Sequence, residues 1–142
     1  MENALPYDKL TENTVLGCVI GFPDEYNNIL KYIPNSDIFY QKKARMLWNK
    51  LKAMKRERGQ VDVLTVCSSL TKKEISNGVS SYYISTIAGI DNLPASGMSE
   101  FYARQLYEKY LMRQVLIKTT QIQTSIKDNT KEIYNTIAES HS

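Results

Sequence analysis

Apolar positions recur with a helical period along almost the whole chain. Val15, Leu16, Val19 and Ile20 fall at i, i+1, i+4 and i+5, one face of a helix that begins near Thr11. Gly21-Phe22-Pro23 interrupts it. Pro23 then opens a second helix in its first turn, with Asp24 and Glu25 where the helix dipole favours acids. Tyr26, Ile29, Leu30 and Ile33 form its apolar face and Pro34 ends it; Asn35-Ser36-Asp37 is a turn cluster. A third helix is predicted from Gln41 to Arg58, with a core stripe of Ala44, Leu47, Trp48, Leu51 and Met54 and Gly59 as its stop. Asp62 caps a fourth helix through Val63, Val66, Cys67 and Leu70. The β-branched run around it argues for a strand by propensity, but its short length and the cap favour a helix. After the Asn77-Gly78 break, a fifth helix carries Tyr82, Tyr83, Ile84, Ile87 and Ala88, and Asp91 to Gly97 is a loop.

Beyond Ser96, a natural N-cap, the only glycine is Gly97 and no proline follows. Met98 to Lys127 is predicted as one helix of about 30 residues, roughly 45 Å long. Asp128-Asn129 is the one turn signal after it. Asn129 with Glu132 resembles a capping box, so a shorter last helix with Ile133 and Ile137 on one face is expected to fold back. The expected fold class is therefore all-α: a single domain over 1–142, with a compact head of about five short helices (1–94) and an antiparallel helical hairpin (95–142). Val115, Thr119, Ile122 and Ile126 form a seam at i, i+4, i+7 and i+11, and Tyr102, Leu106, Tyr107, Tyr110 and Leu111 add a broader belt. Either the hairpin packs entirely on its own head, or part of it packs on another chain. A helix this long outruns a head of this size, which favours the second. The candidate partner or oligomer interface is Tyr107, Tyr110, Leu111, Val115, Ile122, Ile126, Ile133 and Ile137.

Composition narrows the class. With 142 residues, 42% hydrophobic and 23% charged, the chain suits one soluble globular domain. No run approaches the roughly 20 apolar residues of a membrane span. Val15 to Phe22 is short, contains two glycines and has no basic lead, so no signal peptide is expected. Cys18 and Cys67 sit inside apolar runs and are expected to be core fillers in a reducing, cytoplasmic setting.

The net charge of +3 is uninformative until it is located. Lys42, Lys43, Arg45, Lys50, Lys52, Lys55, Arg56 and Arg58 crowd the third helix against Glu57 alone, so the rest of the chain is net acidic. Off the apolar stripe, Lys42, Lys43, Arg45, Lys50, Lys52 and Arg56 are candidates for weak phosphate contact with DNA; the competing reading is a solvated outer face.

Catalytic chemistry is not expected. A phosphate-cradling loop needs Gly-x-x-x-x-Gly-Lys-Ser/Thr, and no glycine here precedes a lysine. The single histidine, His141, lies at the chain end and makes a poor base. No Cys/His cluster has zinc spacing. The reading is no catalytic residue, no cofactor and no metal on this chain.

The order of motifs resembles the N-terminal domain of DnaB-type replicative DNA helicases from Leu5 to about Ala138. Leu5-Pro6, Glu12 and Val15-Leu16-Gly17 are similar to the family opening, and Asp37-Ile38-Phe39-Tyr40 stands where the family has Asp-Phe-Tyr. Gly59, Asp62, Thr65, Val66 and Leu70 match Gly-x-x-Asp-x-x-Thr-Val-x-x-x-Leu. Tyr83, Leu93-Pro94 and Phe101-Tyr102-Ala103 match the run into the long helix, where Arg113 falls at a frequent arginine. Ala44 and Met98 depart from a frequent histidine and asparagine, which puts a polar contact and a helix cap in doubt.

The resemblance implies a non-catalytic module. It would form a collar with itself, as dimers or a trimer of dimers in a hexamer, and dock the C-terminal domain of primase. DNA contact would be weak or absent, and no membrane would be involved. ATP, Mg and hydrolysis would belong to a parent motor domain that is missing here. The alternatives are a direct DNA-binding module acting through 41–58, and a stand-alone factor that binds a helicase.

Overall fold

In a computed structural model, which describes residues 5–140, the head is built by side-chain caps that start one short helix after another. The Asp8 carboxylate accepts the N–H groups of Leu10 (3.0 Å) and Thr11 (3.2 Å) and starts α1 (Lys9–Gly21). A 3₁₀ turn at Pro23–Glu25 leads into α2 (Tyr26–Leu30), and a second at Ser36–Ile38 precedes α3 (Lys42–Arg58). α4 (Val63–Ser68) opens on a reciprocal capping box between Asp62 and Thr65, and α5 (Lys72–Ser76) on another between Thr71 and Glu74. The Ser80 hydroxyl caps α6 (Ser81–Ile87). α7 (Ser99–Ser140) is one helix of 42 residues. No strand occurs among the described residues.

α1 is the axis of the head. Val15 to Ile20 are all buried, so this helix has no wet face over its central turns. α7 packs along it on one side, with α3 and α6 on others. Gly17 permits that density: a Cβ there would stand 2.1 Å from the Ile87 carbonyl oxygen of α6. The core around α1 includes Trp48, Phe39, Ile29, Ile33, Leu47, Leu51, Ile84 and Leu106, all fully buried. Cys18 fills this core and Cys67 packs half-buried at its edge; both thiols are free. Gly59, at φ 75, ends α3 in the left-handed cap that its position predicts.

Three expectations change. The second helix is shorter than its apolar pattern: it ends at Leu30, although the Ile33 N–H still bonds the Ile29 carbonyl (3.1 Å) and its side chain packs inward. The head has six short helices and not five, since α5 lies where no helix was assigned. The largest change is the hairpin: α7 runs unbroken through Asp128 and Asn129, and no second helix folds back. Asp and Asn cost only about 0.5–0.7 kcal/mol each inside a helix relative to Ala, too little to break one without Gly or Pro. His141 lies outside the described residues.

Candidate interaction surface

The first third of α7 is locked to the head from end to end. At its start, Glu25 reaches across from the 3₁₀ turn and takes the N–H groups of Gly97 (2.8 Å) and Ser99 (3.3 Å) together with the Ser96 and Ser99 hydroxyls. A carboxylate at a helix N-terminus is favoured both by these donors and by the helix dipole. It supplies the cap that Met98, lacking a polar side chain, does not. Burial alone would raise the Glu25 carboxyl, but the donors, Ser99 foremost, outweigh it and hold its pKa below the ordinary glutamate value. Ala103 and Leu106 are fully buried, and Tyr102, Tyr107 and Tyr110 lie half-buried against the same core. The Tyr107 ring meets Tyr32 of the head at 6.3 Å between centroids.

The lock closes at Arg113. Its guanidinium donates from Nη1 to the Pro6 carbonyl (3.1 Å) and from Nη2 to the Ile38 carbonyl (2.8 Å), and it lies over the Tyr40 and Tyr110 rings. One side chain thus ties α7 to the entry segment and to the second 3₁₀ turn. Burial pulls its pKa down, opposed by the charge of Glu12. Glu12 is itself fully buried and accepts from Tyr40 N (2.6 Å), Gln41 N (3.2 Å) and Gln41 Nε2 (2.9 Å), tying the segment that enters α3 to α1. Glu12 and Arg113 were legible only as motif positions; the structure gives both a physical task.

Past Arg113 the helix leaves the head. Every residue from Lys118 to Ser140 is exposed, and the stretch after Arg113 projects about 40 Å at 1.5 Å per residue. The predicted interface residues therefore divide. Tyr107 and Tyr110 pack on the head. Leu111, Val115, Ile122, Ile126, Ile133 and Ile137 are exposed, Val115 by 66% and Ile126 by 60%, and Met112, Leu116 and Tyr134 join them. Such a row of large apolar side chains on a projecting helix has the composition of a contact surface.

The basic helix is mostly spent on the head's own structure. Arg45 donates to the Phe39 and Tyr40 carbonyls. Lys50 is shielded, bonded to the Ser69 carbonyl (2.9 Å) and paired with Glu74 at 2.8 Å. Lys52 bonds the Pro34 carbonyl (2.6 Å), Lys55 bonds the Pro23 carbonyl (3.4 Å), and Lys43 sits 4.4 Å over the Tyr83 ring. Arg45, Lys50, Lys52 and Lys55 thus each spend a donor on a carbonyl of the head. Lys42, Arg56 and Arg58 alone of the eight are exposed. Arg56 borders an open cleft of about 460 Å³ shared with Pro23, Tyr26, Asn27, Lys52, Lys55 and Gly59. Among the described residues no group of His, Cys, Asp and Glu is placed to hold a metal ion, and no helix is long and apolar enough to cross a membrane.

Comparison with known proteins gives the fold a context. The family described as the DnaB-like helicase N terminal domain matches residues 4–108. The replicative DNA helicase DnaB of Leifsonia xyli subsp. xyli (strain CTCB07) is 26% identical over 122 residues, 85% of this chain and 26% of that protein. The chain thus spans about a quarter of the length of this curated relative. The crystal structure of the N-terminal domain of DnaB helicase from Mycobacterium tuberculosis superposes with a TM-score of 0.78 at 21% identity, covering 90% of each chain.

Proposed function

We propose that this chain, which belongs to the family of DnaB-like helicase N-terminal domains, is the non-catalytic assembly module of a replicative DNA helicase. In this reading it forms a collar by self-association and recruits the C-terminal domain of primase, in the cytoplasm. ATP and Mg are used by a motor in the parent protein, a domain distinct from this one. The observation that carries the reading is α7, pinned by Glu25 and Arg113 and then presenting Leu111, Val115, Ile122, Ile126, Ile133 and Ile137 to solvent. Burying an exposed Ile contributes roughly 1.5–3 kcal/mol, so two or three such residues decide an association. Tyr107 and Tyr110 join the surface only through their outer edges. DNA contact is weak, because most cations of α3 are already engaged.

The test is a pair of binding measurements on single Asp substitutions: sedimentation for self-association and calorimetry against the primase C-terminal domain. Val115→Asp, Ile126→Asp and Ile133→Asp are expected to keep the fold and to lose at least one of the two. Unchanged binding in all three would remove α7 as the platform.

A further inference from the structure

Lys52, Lys55 and Arg56 stand at i, i+3 and i+4 of α3, so they leave one face of the helix within a single turn. All three line the open cleft of about 460 Å³ that they share with Pro23, Tyr26 and Asn27. None of them has a carboxylate partner: the ion pairs among the described residues are Lys31–Glu100 and Lys50–Glu74. Lys52 and Lys55 each give one hydrogen to a carbonyl, of Pro34 and of Pro23. An ammonium carries three donors, so most of their capacity is unspent. Lys55 lies 5.0 Å over the Tyr26 ring, where burial pulls its pKa below the ordinary lysine value and the Asp24 charge opposes the pull. Arg56 stands close enough to Tyr26 for its charge to oppose the rise that burial gives the phenol.

Cations in the last turn of a helix answer its dipole, which accounts for Lys55, Arg56 and Arg58 as a group. It accounts neither for Lys52, which precedes that turn, nor for the convergence of three unpaired cations on a concave site beside a phenol. The dipole itself offsets less than one of the three charges. The cleft is thus short of negative charge, and its volume lies in the range of small-molecule sites, about 300–1,000 Å³.

We propose that this cleft binds a diphosphate group, carried by a nucleoside diphosphate or free as pyrophosphate. The spacing of the cations carries the choice. One helical turn rises about 5.4 Å, so the three charges form a compact cluster that suits two linked phosphates. A DNA strand needs cations strung along its length, and the exposed Lys42 stands about 15 Å earlier on the helix. The planar Arg56 fork takes one phosphate through paired hydrogen bonds, and the lysines act as point charges on the other. The Asn27 amide and the Tyr26 hydroxyl supply further donors at the edge of the cleft.

The test is calorimetric titration of the full chain at about 150 mM salt with inorganic pyrophosphate, ADP, AMP and a tetraglutamate peptide, with thermal unfolding to check the fold of each variant. Pyrophosphate and ADP are expected to saturate one site with Kd below about 1 mM, and AMP to bind at least about ten-fold more weakly. Arg56→Gln and Lys55→Gln are each expected to weaken pyrophosphate about ten-fold, whereas Lys42→Gln, on the same helix outside the cleft, leaves it unchanged. Arg56, exposed and outside the core, keeps the test open if Lys55→Gln unfolds the turn that it bonds. ADP binding more tightly than pyrophosphate supports a nucleotide as the source, and equal affinity supports the diphosphate alone. Absence of saturation by either up to about 10 mM overturns the site. A loss on Lys42→Gln equal to that on Arg56→Gln also overturns it, since binding would then follow diffuse charge. Tetraglutamate binding more tightly than pyrophosphate overturns the ligand class.

Discussion

Residues 99–113 and 114–140 belong to one helix, share its geometry and carry similar apolar side chains, yet their stability has different origins. The first segment is held by a capping carboxylate, two fully buried side chains and an arginine bonded to two carbonyls. The second is held by its own backbone bonds and by continuity with the first. Nucleation is the costly step in forming a helix, and each further residue adds a bond at little cost. The anchored segment supplies the nucleus, so the projecting segment can exist while exposing residues that a free helix would have to bury. In the proposed reading, one helix thus serves a fold at one end and an assembly at the other, with Arg113 at the border.

That border can be tested from the strongest effect downward. Leu106→Ala in the anchored segment is expected to cost about 2–5 kcal/mol in urea unfolding, whereas Ile126→Ala should cost under about 0.5 kcal/mol in dilute monomer. Similar losses at both sites would erase the distinction. Arg113→Met is expected to cost about 2–3 kcal/mol, because it orphans the partly shielded carbonyls of Pro6 and Ile38. It should also release α7 from the entry segment, seen as faster amide exchange in α7 just before position 113.

Glu25→Gln is expected to cost about 1 kcal/mol at neutral pH, through loss of the charge at the α7 N-terminus. Its pH dependence carries a sign. The Glu25 pKa is depressed on folding, so its contribution is complete above the ordinary glutamate value of about 4.3 and fades as pH falls through the lower folded value. The stability gap between wild type and Glu25→Gln should therefore narrow on acidification. A constant gap would mean that the carboxylate is not what the helix start depends on. The smallest effect is expected on α3: neutralising Lys42 and Arg56 should lower an already weak, salt-sensitive DNA affinity without altering stability. Binding that persists at physiological salt would revive the DNA-binding alternative.

The sequence made legible what depends on local chemistry. Asp62 and Gly59 act on their own neighbours, so the end of α3 and the start of α4 could be read directly. α5 was equally marked, by Thr71 and Glu74 at capping-box spacing, but its five residues carry too little apolar periodicity to draw attention. The structural use of Lys50, Lys52 and Lys55 was not legible, since a long side chain chooses its carbonyl by tertiary placement and periodicity shows only which face it leaves from. The same limit applies to Glu25, which the sequence explains as a dipole acid of its own helix while the structure has it cap α7, more than seventy residues away. At Asp128-Asn129, turn propensity lost to helix continuity because neither residue prevents the backbone bonds. The proposed interface residues were picked out through their seam, and the structure packs two of them, Tyr107 and Tyr110, against the core.

The most direct measurement is the pair Leu106→Asp and Ile126→Asp, followed by thermal unfolding in dilute solution and by binding to a second copy and to the primase C-terminal domain. If α7 is fold at one end and platform at the other, Leu106→Asp unfolds the head, while Ile126→Asp leaves the melting temperature within a few degrees and abolishes association. If Ile126→Asp unfolds the domain as Leu106→Asp does, or leaves both binding activities intact, the projecting half of α7 is not the assembly surface.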